Sequence, residues 1–168
     1  MRLLVDEISE DFEKELKEKV EHNIFHAEIR EATQEDVDII IELHEKAWHS
    51  TPMPYKRLSR KNIIDLIEDQ EIIFLIAKVN NKDSGFALIY FTGEKNKVGV
   101  IAGLGVIPEF QGKGLGTVLA MACWKYFKER GVEELRCKVY KDNFSSLRFI
   151  KTLGFKEYDE DLVTWKIS

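Results

Sequence analysis

Apolar residues recur along this chain with periods that change at identifiable points, and those changes divide it into elements. Over residues 6–23 the apolar positions Ile8, Phe12, Leu16 and Val20 stand four apart among charged residues. That spacing predicts a helix with one narrow apolar stripe. Glu10/Lys14, Glu13/Lys17 and Glu15/Lys19 supply i,i+4 pairs in the favourable order. Alternation begins at Phe25 and predicts a short strand over Phe25–Arg30. Thr33 with Asp36 reads as a capping box, and the helix after it carries Val37, Ile40, Ile41, His44 and Trp48 on one face. The stretch from Trp48 to Leu58 is a loop, since two of the chain's three prolines, Pro52 and Pro54, lie in it. Ser59 caps a second helix with Ile63, Leu66 and Ile67.

Strands are predicted next at Ile72–Val79, Gly85–Thr92 and Val98–Ile107, joined by polar turns at 80–83 and 93–96. Leu115–Arg130 has the clearest helical pattern, with Leu115, Val118, Leu119, Ala122, Tyr126 and Phe127 on one face, and Gly131 ends it. Leu135–Tyr140 reads as a strand, Asn143 as the cap of a short helix through Leu153, and Phe155–Tyr158 and Leu162–Ile167 as closing strands. The pattern is that of an α/β domain, with no repeat and no linker after residue 25. We expect a charged helical extension over 1–24 and one domain over 25–168. The extension fits an extra packed helix, a dimer contact or an acidic recognition surface.

Composition narrows the class. At 168 residues, 44% hydrophobic and 33% charged, the chain is long enough to bury a core without a metal or disulfide staple. The formal charge of −5 argues against a broad basic face for nucleic acid. Residues 1–23 contribute eight acids against four bases, which leaves only −1 for the rest. Cys123 and Cys137 have neither zinc-site spacing nor a nearby histidine pair, so no metal and no disulfide framework are expected. No apolar run approaches the roughly 18 residues of a membrane span. These features, with an acidic start that suits no targeting peptide, give the expectation of a cytoplasmic protein, monomer or homodimer.

One segment departs from packing chemistry. Gln111-Gly112-Lys113-Gly114-Leu115-Gly116-Thr117 lies between an apolar strand and a strong helix. Glycines there let an anion approach backbone N–H groups, and a helix N-terminus offers unpaired donors to phosphate. It is not a P-loop, because the Lys after Gly112 precedes Gly114 rather than Ser or Thr, and its Gly-x-Gly-x-Gly spacing is not a Rossmann fingerprint. The spacing Gln-x-x-Gly-x-Gly after Leu104-Gly-Val-Ile-Pro108 resembles the acyl-CoA-binding motif of the GNAT superfamily of N-acyltransferases. Asn143-x-x-Ser-Leu-x-Phe-Ile-x-x-Leu-Gly154-Phe155 is similar to that family's closing helix and Gly-Phe turn. With the order of elements, the resemblance covers residues 25 to 167.

The resemblance implies a mixed, strongly twisted central sheet flanked by helices, here with an extra N-terminal helix. It implies that the strand ending at Ile107 and the strand Leu135–Tyr140 splay apart to admit pantetheine, which would pair near Leu104 and Val106. The pyrophosphate of acetyl-CoA would sit on the amides of Gly112, Lys113, Gly114, Leu115, Gly116 and Thr117, with Gln111 at the mouth. Asn143 matches a position that contacts the pantetheine arm, though it reads equally as a helix cap. The loop 48–58 would border the acceptor pocket, with Trp48 and Tyr55 as substrate-binding residues.

The family's reaction is direct attack of an amine on the thioester through a tetrahedral intermediate, and this chain departs from its usual acid and base. The family's tyrosine position in the closing helix is Ile150 here, and Val98–Ile107 carries no ionisable side chain. Tyr140 is the nearest substitute acid by sequence, though it also reads as a core residue. Glu94, His44, His49 and Tyr55 remain as candidates at the acceptor end, and each has a plainer reading: Glu94 as a turn residue, His44 as helix-face packing, His49 and Tyr55 as loop residues. A lysine-like amine of pKa about 10.4 costs roughly 4.6 kcal/mol to neutralise at pH 7, and an α-amine near 7.7 about 1 kcal/mol. A site without an obvious base therefore favours an α-amino acceptor on a peptide or small molecule. The competing reading is a non-catalytic acyl-CoA-binding or interaction module that keeps the fold.

Overall fold

The alternating apolar runs pair as a twisted sheet in the computed structural model, which describes residues 1–22 and 26–158. The strands are β1 (Arg2–Leu4), β2 (Ala27–Glu31), β3 (Ile72–Val79), β4 (Lys82–Thr92), β5 (Val98–Val106) and β6 (Glu134–Cys137), in spatial order β1-β6-β5-β4-β3-β2. Neighbours are antiparallel except β5 and β6, which run parallel. The turn between β3 and β4 is shorter than the polar segment suggested. Asn80 and Asn81, at φ 50° and 63°, complete it alone, in the left-handed region that Asn tolerates.

The helices are α1 (Glu10–Glu21), α2 (Val37–His49), α3 (Arg60–Glu68), α4 (Leu115–Glu129) and α5 (Phe144–Thr152). Side chains alternate along β4, so each face receives its own layer. Phe86 and Leu88 meet Val37, Ile40, Leu43 and Ala47 of α2 and Ile63 of α3. Ala87, Ile89 and Phe91 meet Leu115, Leu119, Cys123 and Phe127 of α4. Cys123 and Cys137 are free thiols, and burial pushes both up to about 12. No described helix is long and apolar enough to cross a membrane.

The helix expected over residues 6–23 begins later, at Glu10. Ahead of it, β1 pairs antiparallel with β6, Arg2 opposite Arg136 and Leu4 opposite Glu134. A three-residue strand has no readable period, and its pairing partner lies more than 130 residues away. Ile8, Leu16 and Val20 pack on the core as the stripe predicted. Helix α1 lies on α4, where the Glu13 carboxylate accepts from Trp124 Nε1 at 3.1 Å and Lys128 Nζ at 2.9 Å. Those two bonds, Lys128 first, hold its pKa at about 2. At the other end, the strand expected over Phe155–Tyr158 reduces to one bridge between Lys156 and Arg2. Phe25 and the strand expected at Leu162–Ile167 lie outside the described residues.

Candidate functional site

The site starts where the parallel pair ends. β5 and β6 run together from Val98 opposite Glu134 to Ile101 opposite Cys137, and stop. There Leu88 pairs with Gly103 and Ile89 with Ile101, so Ala102 is an extra residue, a β-bulge. A bulge bends its strand and raises its twist. Residues 102–106 keep β4 on one side and have no strand on the other among the described residues, which is why β6 is shorter than the Leu135–Tyr140 expected from sequence. Leu104 and Val106 sit on this free edge, half-buried. A free strand edge pairs with an extended ligand through backbone groups.

The loop after β5 turns through Gly112 at φ 71° and Gly114 at φ 90°, both left-handed. A Cβ at Gly112 would meet nothing within 4 Å, so that side of the turn is open. Gly114 is the N-cap of α4 and no side chain caps the helix. By contrast Ser9, Ser59 and Asn143 cap α1, α3 and α5 with side-chain oxygens. The first-turn amides of Leu115, Gly116 and Thr117 are the donors such an end leaves for an anion. Leu115 contributes only its backbone, because its side chain is buried in the core. Gly116 has a second reason to be glycine: a Cβ there would stand 3.2 Å from Phe149 Cζ of α5. Lys113 Nζ lies 5.9 Å from the Phe110 ring centroid.

Two hydrogen bonds tie the 48–58 loop to both walls of the gap. Gln111 Nε2 donates to Ser50 Oγ at 2.7 Å and to the Val106 carbonyl at 2.9 Å. Asn143, buried, accepts from Ser146 N at 3.2 Å as a helix cap and donates Nδ2 to Met53 Sδ at 3.8 Å. Trp48 Nε1 donates to the Pro54 carbonyl at 2.8 Å, which fixes the loop's own turn.

Behind this loop stands a cluster of rings. His44 lies 4.9 Å from Trp48, 6.0 Å from Tyr55 and 6.1 Å from Phe86, centroid to centroid. His49 stacks on Tyr55 at 4.7 Å and its Nε2 faces Glu45 at 3.7 Å, exposed at the end of α2. His44 Nδ1 and Tyr55 Oη are buried and have no hydrogen-bond partner among the described residues. Burial lowers the His44 pKa, with no charged partner contributing. The helical stripe showed only that His44 faces inward, which is why it read as a packing residue. Its orphaned nitrogen could not be read from spacing.

The other candidates separate. Glu94 stands apart from the other candidates. It sits in the turn after β4, beside the end where Thr92 pairs with Val98. Four strand steps, about 13 Å, part that end from the bulge at Ala102. Tyr140 is 40% exposed, three residues beyond the end of β6, and is not a core residue. Ile150 is 6% exposed and belongs to the α4-side core, so no hydroxyl occupies that position. Phe144, at the start of α5, is 70% exposed.

A mixed sheet that splits beside a bulge, with an uncapped glycine-turn helix at the mouth, defines the acyl-CoA N-acyltransferase class of fold. The comparisons agree. A sequence model of the Acetyltransferase (GNAT) family matches residues 37–155, and the chain belongs to that family. It is 32% identical over 136 residues to an uncharacterized N-acetyltransferase of Methanocaldococcus jannaschii, covering 77% of this chain and 60% of that protein's length. The fold is shared with the PaiA N-acetyltransferase of Thermoplasma acidophilum, solved in complex with coenzyme A. That match has a TM-score of 0.72 and 24% identity, over 81% of this chain and 93% of the other. It is shared also with an aminoglycoside acetyltransferase from an uncultured soil metagenomic sample, at TM-score 0.66 and 20% identity, over 84% and 95%.

Proposed function

We propose that the protein transfers an acetyl group from acetyl-CoA to a primary amine, an α-amino group of a peptide or small molecule being the favoured acceptor. The observation that carries this reading is the free edge of β5 beside the uncapped N-terminus of α4. An extended pantetheine arm needs the first, and a pyrophosphate needs the second. The open space over Gly112 is a cradle that a Cβ would narrow. Lys113 adds one positive charge at the loop. Residues 25–168 would form the acetyltransferase domain, and the two buried thiols suit a reducing cytoplasm.

In the reaction the neutral amine attacks the thioester carbonyl, a C–N bond forms, and the C–S bond breaks to release CoA thiolate. Tyr140 is assigned the proton for that thiolate, because it is exposed just beyond β6 while Ile150 offers none. Trp48 and Tyr55 give the acceptor side an aromatic wall, and His49 borders it. A non-catalytic acyl-CoA-binding module is the second reading, and buried Ile150 is the observation in its favour.

The two readings part on one measurement. Free thiol release from acetyl-CoA is followed across α-amino peptides, lysine peptides, amino acids, polyamines and aminoglycosides. Turnover with α-amines supports the first reading. Coenzyme binding with no turnover on any acceptor supports the second, and faster acetylation of polyamines or lysine side chains at neutral pH removes the α-amine preference.

A further inference from the structure

We propose that His44 takes the proton from the acceptor amine, so that an imidazole on α2 replaces the carboxylate base that β5 lacks. The assignment rests on the acetyltransferase reading above and goes beyond it by naming the base.

The geometry has three parts. First, β5 carries no ionisable side chain between Val98 and Val106, and Glu94 stands at the far end of the hairpin. Glu109, the acid nearest the glycine loop in sequence, is engaged by Lys82 at 2.6 Å. Second, α2 lies directly on the free-edge half of β5. A Cβ at Gly105 would stand 2.5 Å from Phe86 Cε1 and 3.0 Å from Ala47 Cβ, and one at Gly103 would stand 3.5 Å from Phe86 Cε2. Phe86 therefore covers the strand next to the bulge, and the His44 ring packs against Phe86. Third, His44 and Tyr55 each leave a buried polar atom without a partner. Buried polar groups are satisfied in nearly all proteins, so two orphans in one cluster leave polar atoms that a bound water or the acceptor amine can satisfy. The ring of Tyr55 belongs to the loop pinned at Gln111 and Asn143, the two side chains assigned to the coenzyme.

The environment sets the chemistry. Trp48, Tyr55 and Phe86 surround the imidazole, and the titratable groups facing it are Tyr55 and, beyond it, His49 with Glu45. Burial lowers the His44 pKa and so favours the neutral imidazole, the form that accepts a proton. The acceptor ammonium gives one proton to the imidazole, which later passes it to solvent. The amine lone pair attacks the thioester. As the C–S bond breaks, the adduct loses its second N–H proton, which restores the one that Tyr140 gives to the CoA thiolate. An imidazole lies nearer in proton affinity to an α-amine near 7.7 than to a lysine amine near 10.4.

The test measures kcat/KM against pH for the full chain and for His44→Gln with an α-amino peptide, together with coenzyme A affinity by calorimetry. We expect the variant to lose about 100-fold or more in kcat/KM with unchanged coenzyme affinity. The acidic limb of the wild-type profile should vanish with it. A His44→Phe variant preserves the ring packing and should show the same loss. The His44 imidazole resonance should titrate below the ordinary histidine value in the wild type. A His44→Gln protein that binds coenzyme A and retains activity within threefold overturns the assignment, as does an acidic limb that persists. A wild-type protein that acetylates no amine refutes the proposed function itself, and this assignment with it.

Discussion

Asp36→Asn should loosen the anchor of α2, the helix that carries His44, Trp48 and His49. Asp36 is buried, and both its oxygens accept from Arg30 at 2.7 Å, while Oδ2 also accepts from the Thr33 amide at 2.8 Å. The Arg30 guanidinium, more than the Thr33 amide, lowers its pKa from 3.8 to about 2. That difference corresponds to about 2.4 kcal/mol. The Arg30 side chain is 44% exposed, so solvent screening reduces the expected effect to about 1–2 kcal/mol. The sign follows from a carboxylate whose folded pKa is depressed. Its stabilisation is complete above 3.8, the ordinary value, and is lost as pH falls toward 2. Urea unfolding of wild type and variant at pH 7 and pH 3 measures it. The stability gap should be largest at pH 7 and fall to about half at pH 3. A gap that does not change with pH would refute the argument and assign the loss to packing or capping.

Gly114→Glu, at φ 90° and at the cap of α4, should abolish coenzyme A binding, and undiminished affinity in a folded variant would put the coenzyme elsewhere. Gly105→Ala forces a Cβ to 2.5 Å from the Phe86 ring and should cost about 1–3 kcal/mol in chemical unfolding. Gly103→Ala, with its nearest contact at 3.5 Å, should cost less than half as much, and equal losses would refute the packing account. Tyr140→Phe should lower kcat by at least tenfold while leaving coenzyme affinity unchanged, and an unaltered kcat would show that water protonates the thiolate.

Periodicity made most of this fold legible, because the faces of α2 and α4 and the alternation of β3 and β4 are local properties of the chain. β3 begins and ends where its apolar run does, at Ile72 and Val79. The glycine loop was legible for a different reason: a turn needing positive φ at Gly112 and Gly114 leaves few residue choices. What stayed hidden is what depends on another part of the molecule. β1 has no period of its own and exists through its pairing with β6. β6 ends early because β5 bulges at Ala102, an event on the neighbouring strand. Gly116 stood among the phosphate-loop glycines in the sequence, but the Phe149 ring of α5 also requires its small size. Glu94 looked close to the acceptor end only while distance along the chain stood in for distance in space.

His44 shows where the limit lies for chemistry. A histidine on the apolar stripe of a helix is the same letter whether its nitrogens are satisfied or orphaned. Its position on α2 follows from the 3.6-residue period, and so was available from sequence. Its reactivity depends on Tyr55, eleven positions later across a proline-containing loop, and on Phe86 from another layer. Those neighbours remove water from the ring without supplying a charge, which is the condition that holds an imidazole neutral at pH 7. In the proposed mechanism the sheet supplies the edge that binds, and the helix laid across it supplies the group that titrates.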